Sequence, residues 1–128
     1  MTQNNNETPI NPQSTAVDEK QIQFAVEVWR LAKLTNKMLS KIDLDEQRKY
    51  VGQLDWFNKK ATEFFQGQGI TFANFQIGMP FDAGMPLNPV NIGDFNAEDD
   101  LYIEQLLEPV ILFEGKVVKQ GTVVLGKR

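Results

Sequence analysis

The sequence predicts an α+β protein: an N-terminal antiparallel helical hairpin that forms a dimeric four-helix bundle, followed by a small β domain. Three observations predict it. Apolar residues recur at steps of three and four from Asp18 to Phe65. From Ile70 that periodicity gives way to short apolar runs divided by Pro80, Pro86, Pro89 and Pro109 and by Gly78, Gly84 and Gly93. Ahead of both, residues 1–17 are rich in Asn, Gln, Thr and Pro and hold few apolar side chains. Such a segment cannot repay the entropy of ordering, so it reads as a disordered tail. The expected organisation is a tail over 1–17, a helical dimerisation hairpin over 18–69 and a β domain over 70–128.

The first helix opens at Asp18-Glu19, where acids meet the positive end of the helix dipole. Ile22, Ala25, Val26, Trp29, Ala32, Leu39 and Ile42 form its apolar stripe, with Lys33 and Lys37 off it. The pattern predicts a helix of about six turns ending near Lys41. Asp43 and Glu46 have capping-box spacing, so a second helix starts near Leu44. Its seam is Tyr50, Leu54, Phe57, Ala61 and Phe64, stepping by four and three, widened by Val51 and Phe65. Gly67 and Gly69 supply residues that tolerate left-handed geometry and stop it. A short loop between helices implies an antiparallel hairpin.

Such a hairpin cannot hide Trp29, Trp56, Phe57, Phe64 and Phe65 by pairing only with itself. At roughly 25 cal/mol per Å2 the remainder favours self-association. Two hairpins make a four-helix bundle, so a homodimer is expected, with Tyr50, Leu54, Phe57, Ala61, Phe64 and Trp29 as its contact residues.

In the C-terminal half, Val110–Phe113 and Lys116–Lys119 flank Glu114-Gly115 and read as a β-hairpin. Thr122–Leu125 is a further strand. Leu101–Leu107 reads as a strand, with a short helix capped at Asn96 as the alternative.

The 128 residues include no cysteine and no histidine, and the formal net charge is −4. Disulfides, thiolate metal sites and histidine-based acid–base catalysis are thereby excluded. No apolar run reaches membrane-spanning length, and the N-terminus lacks the pattern of a signal peptide, so a cytoplasmic protein is expected with no membrane partner. Residues 61–115 hold nine acidic groups and no Lys or Arg. That stretch would repel a nucleic-acid backbone and suits a protein partner.

Three motifs resemble chemical sites and fall short of them. The repeated Gly-Met-Pro of "GMPFDAGMP" (78–86) lacks the free N–H groups and the Lys of a phosphate loop; its prolines make it a stiff connector, with Phe81 plugging the core. Asp94, Asn96 and Glu98 begin like a calcium loop, but Asp99 stands where Gly is required and Gln105 where Glu is. Asp99 and Asp100 have no nucleophile or oxyanion device beside them. No enzyme activity, cofactor or metal site is expected.

Taken in order, these parts resemble the GrpE family, the nucleotide exchange factors of DnaK-type chaperone ATPases, over roughly residues 20–128. "FFQGQGITF" followed by "GMPFDAG" is similar to the family's connector, and "LEPVILFEGKVVKQGTVVL" to its terminal strand–turn–strand segment. Ala83 replaces the family's Pro after Phe-Asp, Pro109-Val110 its Gly-Tyr, and Lys119-Gln120-Gly121 its Arg-Pro-Ala, and the first helix is shorter. The resemblance implies a homodimeric co-chaperone whose β domain wedges open the ATPase's nucleotide cleft. By that match Gly115 and Lys116 occupy the turn, and Glu114, Gly115, Lys116 and Val118 form the contact with the DnaK-type ATPase. The alternative is a structural or adaptor dimer that keeps the fold without exchange.

Overall fold

A computed structural model describes residues 17–128 as two helices followed by small β-sheets. The expected tail lies outside the described residues except for Val17, which packs against the first core cluster.

Helix α1 spans Glu19–Leu39 and α2 spans Leu44–Gly67. Asp18 caps α1: its side chain accepts from the Lys20 amide, and Gln21 reaches back to the Asp18 N–H in a capping box. At α2 only half of the expected box forms. Asp43 accepts from the Glu46 amide at 3.0 Å, but the Glu46 carboxylate pairs with Lys49 at 2.7 Å instead. Helix α2 ends where Gly69 takes φ +83°, a conformation open to glycine at no Cβ cost.

Six strands follow: β1 (Ile70–Phe72), β2 (Leu87–Pro89), β3 (Leu101–Glu108), β4 (Ile111–Phe113), β5 (Lys116–Lys119) and β6 (Gly121–Lys127). They form two three-stranded sheets, ordered β1-β4-β5 and β2-β6-β3. All pairs are antiparallel except β2 with β6. The segment 101–108 is thus a strand, as the sequence favours, and not a helix. Glu114-Gly115 is the predicted two-residue turn, with φ of 49° and 84°. Positive φ at both central positions matches the twist of the flanking strands.

Two core clusters hold the parts together. Ala25, Val26, Phe65, Ile70 and Ile111 join the hairpin to the first sheet. Leu87, Ile103, Val110, Val123 and Leu125 fill the β domain. Strand β4 links the two, because successive side chains point to opposite faces: Ile111 enters the first cluster and Leu112 packs on the second. Phe65 anchors the joint, with edge-to-face contacts to Phe24, Phe64 and Phe72 at centroid distances of 5.9, 5.7 and 6.1 Å.

The Gly-Met-Pro connector is pinned along the outer edge of β3. The Gly78 amide donates to the Ile103 carbonyl at 2.8 Å, the Ile103 amide to Met79 at 2.9 Å, and the Phe81 amide to Leu101 at 2.9 Å. Met79, Phe81 and Met85 pack on the second cluster, so Phe81 does reach the core. After β2 leaves the sheet, the Asn91 side chain replaces it, exchanging two 2.9 Å bonds with the backbone of Leu125.

Candidate protein-contact surfaces

Helix α1 is apolar on two sides. One side, with Ala25 and Val26, is buried against the sheet. The other carries Phe24, Leu31, Leu34 and Met38, all half-exposed or more. Phe24, Leu31 and Met38 recur every seven residues, the spacing of a helix-packing seam.

The hairpin contact residues expected from sequence divide among three grooves. Tyr50 and Leu54 line one near the interhelical loop with Met38, Leu39 and Ile42, of about 350 Å3. Phe57, Ala61 and Phe64 line a second with Phe24 and Val28. Tyr50 is 46%, Phe57 45% and Phe64 57% exposed, so the α2 seam is largely open in the single chain. Leu54 and Ala61 are half-buried. Trp29 lies in a third groove with Ala32, Asn58, Thr62 and Phe72, which it shares with Ala61 alone of the other expected contact residues, and the Lys33 ammonium sits 4.8 Å from its ring. Sequence reasoning missed Phe24, Leu31 and Met38, whose seven-residue spacing was the available signal.

In the β domain, Glu114, Gly115 and Lys116 are exposed at the turn. The turn is held at its base: the Glu114 amide donates to Gly69 at 2.8 Å, and a Cβ on Gly69 would lie 3.2 Å from both Glu114 and the Phe113 ring. Val118 stands apart from the turn, on β5. It lines a groove of about 480 Å3 between β5 and α1, with Glu19, Ile22, Gln23, Val26, Glu27, Arg30, Glu108 and Lys119.

One end of that groove is closed by a charge network. Glu108 accepts from Arg30 at 2.7 Å, from Lys119 at 3.1 Å and from Thr122 at 3.0 Å. Arg30 also pairs with Glu27 at 2.6 Å. The Lys119 hydrogen bond, helped by Thr122 and the Lys119 and Arg30 charges, holds the Glu108 carboxyl below its usual range; partial burial opposes this. Beside the network, Lys33 donates to the Leu106 carbonyl. Its pKa is lowered, first by desolvation and then by the nearby Lys37 charge. These contacts tie the middle of α1 to the end of β3. Their partners lie more than seventy residues apart in the chain, and no local pattern announces them.

Asp99 serves the acidic turn it sits in, accepting from the Asn96 amide at 2.8 Å and lying 3.6 Å from Lys127. Among the described residues, no helix is long and apolar enough to cross a membrane. Scans against protein-family models, curated proteins and solved structures returned no match.

Proposed function

We propose that the chain is a GrpE-like nucleotide exchange factor acting on a DnaK-type ATPase. Two copies pair through the open faces of their hairpins into a four-helix bundle. Each presents a β domain whose Glu114-Gly115-Lys116 turn and Val118 contact the ATPase. The observation that carries this reading is the division of labour in one chain. A hairpin with an uncovered apolar seam shares a core cluster with a β domain that projects a braced turn. An exchange factor acts by binding the open nucleotide cleft better than the closed one, and its effect cannot exceed that difference in affinity. A contact held at its base by Gly69 keeps its shape and so discriminates between two cleft geometries.

A second reading has a specific observation behind it. Lys119, which by the resemblance stands in place of the family's Arg, is engaged with Glu108 and is not presented outward. That favours an adaptor dimer with the same fold and no exchange.

Release of labelled ADP from a DnaK-type ATPase, followed by stopped flow, separates the two. The exchange reading predicts faster release with the unaltered protein. Lys116→Glu should keep its circular dichroism spectrum and lose something like 1–3 kcal/mol of coupling. Retained acceleration in Lys116→Glu would move the contact away from the turn. No acceleration by the unaltered protein with any DnaK-type ATPase of its own cell would leave the adaptor reading.

A further inference from the structure

The geometry points to a second interaction, at a site that overlaps the proposed ATPase contact at Val118: the groove between β5 and α1 takes an extended peptide that adds to the open edge of β5, with basic side chains four residues apart. This site does not depend on the exchange reading.

Strand β5 is the last strand of its sheet, and the β3 edge of the other sheet shows what a covered edge looks like here. The Gly78–Phe81 connector hydrogen-bonds along β3, whereas among the described residues no backbone group from outside the sheet reaches β5. An unpaired edge offers a row of backbone donors and acceptors that an added strand can use. Lys116, Val117 and Val118 are exposed. Helix α1, packed on one face of the sheet through Ile111, and β5 line a common groove of about 480 Å3, which lies within the roughly 300–1,000 Å3 range of ordinary binding clefts.

The lining states the chemistry of the occupant. Ile22, Val26 and Val118 make an apolar floor that suits one small β-branched side chain. Three carboxylates, Glu19, Glu27 and Glu108, stand against two cations, Arg30 and Lys119, leaving an excess of negative charge. Glu108 is saturated by Arg30, Lys119 and Thr122; Glu27 is exposed and pairs with Arg30 at 2.6 Å through Oε2, which leaves its Oε1 for an added cation, and Glu19 is exposed at the start of α1. Eight residues of helix separate Glu19 from Glu27, a rise of about 12 Å at 1.5 Å per residue. Two side chains four residues apart on one face of a strand are about 13 Å apart. A strand lying in the groove therefore brings two lysines on its helix-facing side to the two acids, with a valine midway over the floor.

The probe is a blocked, fluorescent heptapeptide, Thr-Lys-Thr-Val-Thr-Lys-Thr, titrated with the full-length protein by anisotropy, with amide shifts mapped by NMR. Saturable binding is expected below millimolar protein, with shifts over residues 116–119 and 19–27. Two further peptides carry backbone N-methyl groups, one on the amides of each edge. One of them should bind about tenfold more weakly or worse, because only one edge pairs with β5. Glu19→Lys, on an exposed position, should weaken binding about tenfold with unchanged circular dichroism, and Val118→Asp should do the same. If Val118→Asp unfolds, Glu19→Lys and the methylated peptides still decide. No saturation up to millimolar protein, equal binding of both methylated peptides, or shifts confined to other surfaces would overturn the inference.

Discussion

The helical hairpin and the β domain treat their apolar residues in opposite ways. In the β domain Ile103 and Val123 are wholly buried and Val110 nearly so, in a cluster centred on the second sheet, while the first sheet buries Ile70 and Ile111 against the hairpin. In the hairpin, among the described residues, only Ala25, Val26 and Phe65 are buried, and all three lie near the sheet. Further along, Leu31, Leu34, Met38, Tyr50, Phe57 and Phe64 stay exposed. Scattered exposed apolar residues are ordinary, but an aligned set along one side of two helices marks an interaction face. The difference teaches that the second sheet closes its own core within one chain, whereas the hairpin leaves apolar surface that the proposed dimer would cover.

The sharpest way to break the comparison is to damage the closed half. Ile103→Ala should cost about 2–5 kcal/mol, the usual range for emptying a buried Ile. The loss, read by denaturant titration, should be the same at any protein concentration if the β domain needs no second chain. A loss that shrinks at high concentration would tie the β core to assembly.

Gly121→Ala tests how tightly β6 is packed between β2 and β3. A Cβ there would lie 2.9 Å from the Glu108 carbonyl and 2.9 Å from the Leu87 side chain. The backbone oxygen cannot step aside, so overpacking should cost about 1–3 kcal/mol. A melting temperature unchanged from the parent would show that β6 is free to shift.

The joint between the halves should respond more gently. Glu108→Gln removes the charge that Arg30 and Lys119 share, and partly exposed ion pairs are worth about 0.2–1 kcal/mol. The folded pKa of Glu108 lies below its ordinary 4.5. Its stabilisation is therefore present above that pH and is lost as pH falls through the lowered folded value. The parent should lose stability in that acid window, and Glu108→Gln should lose less over the same range. Identical acid profiles would place the acid sensitivity at other carboxylates.

Much of the local structure was legible in the sequence, and the reasons are local. Helix periods, the Asp43 cap, the Gly69 stop and the Glu114-Gly115 turn are each set by a few neighbouring residues, as is the start of α1 at Asp18, which the structure makes the cap and not the first helical residue. What escaped depends on distant partners. Strand β2 contains Pro89 and sits in a proline-rich run that reads as connector; it becomes a strand only because β6, more than thirty residues later, pairs with it in parallel. The Arg30–Glu108 tie and the Asn91 bonds to Leu125 have no short-range signature either. Helix α1 carries two apolar stripes, and the one read from the sequence, through Ala25, Val26 and Trp29, faces the sheet or its margin. The stripe through Phe24, Leu31 and Met38 faces outward, and only burial distinguishes them.

The smallest effect on a single chain should come from the open face itself. Phe57→Ser changes a residue that is 45% exposed, so its cost to the isolated fold should stay within about 0.5 kcal/mol. In the proposed dimer its effect would fall on assembly, where a polar side chain would replace an aromatic one in the seam.

Sedimentation equilibrium of the unaltered protein and Phe57→Ser at micromolar concentration tests the central claim most directly: that the open face of the hairpin is covered by a second copy. The account predicts about twice the chain mass of 14.6 kDa for the unaltered protein and a shift toward the single-chain mass for Phe57→Ser, with both keeping the same circular dichroism spectrum. A single-chain mass for the unaltered protein across that range would contradict it.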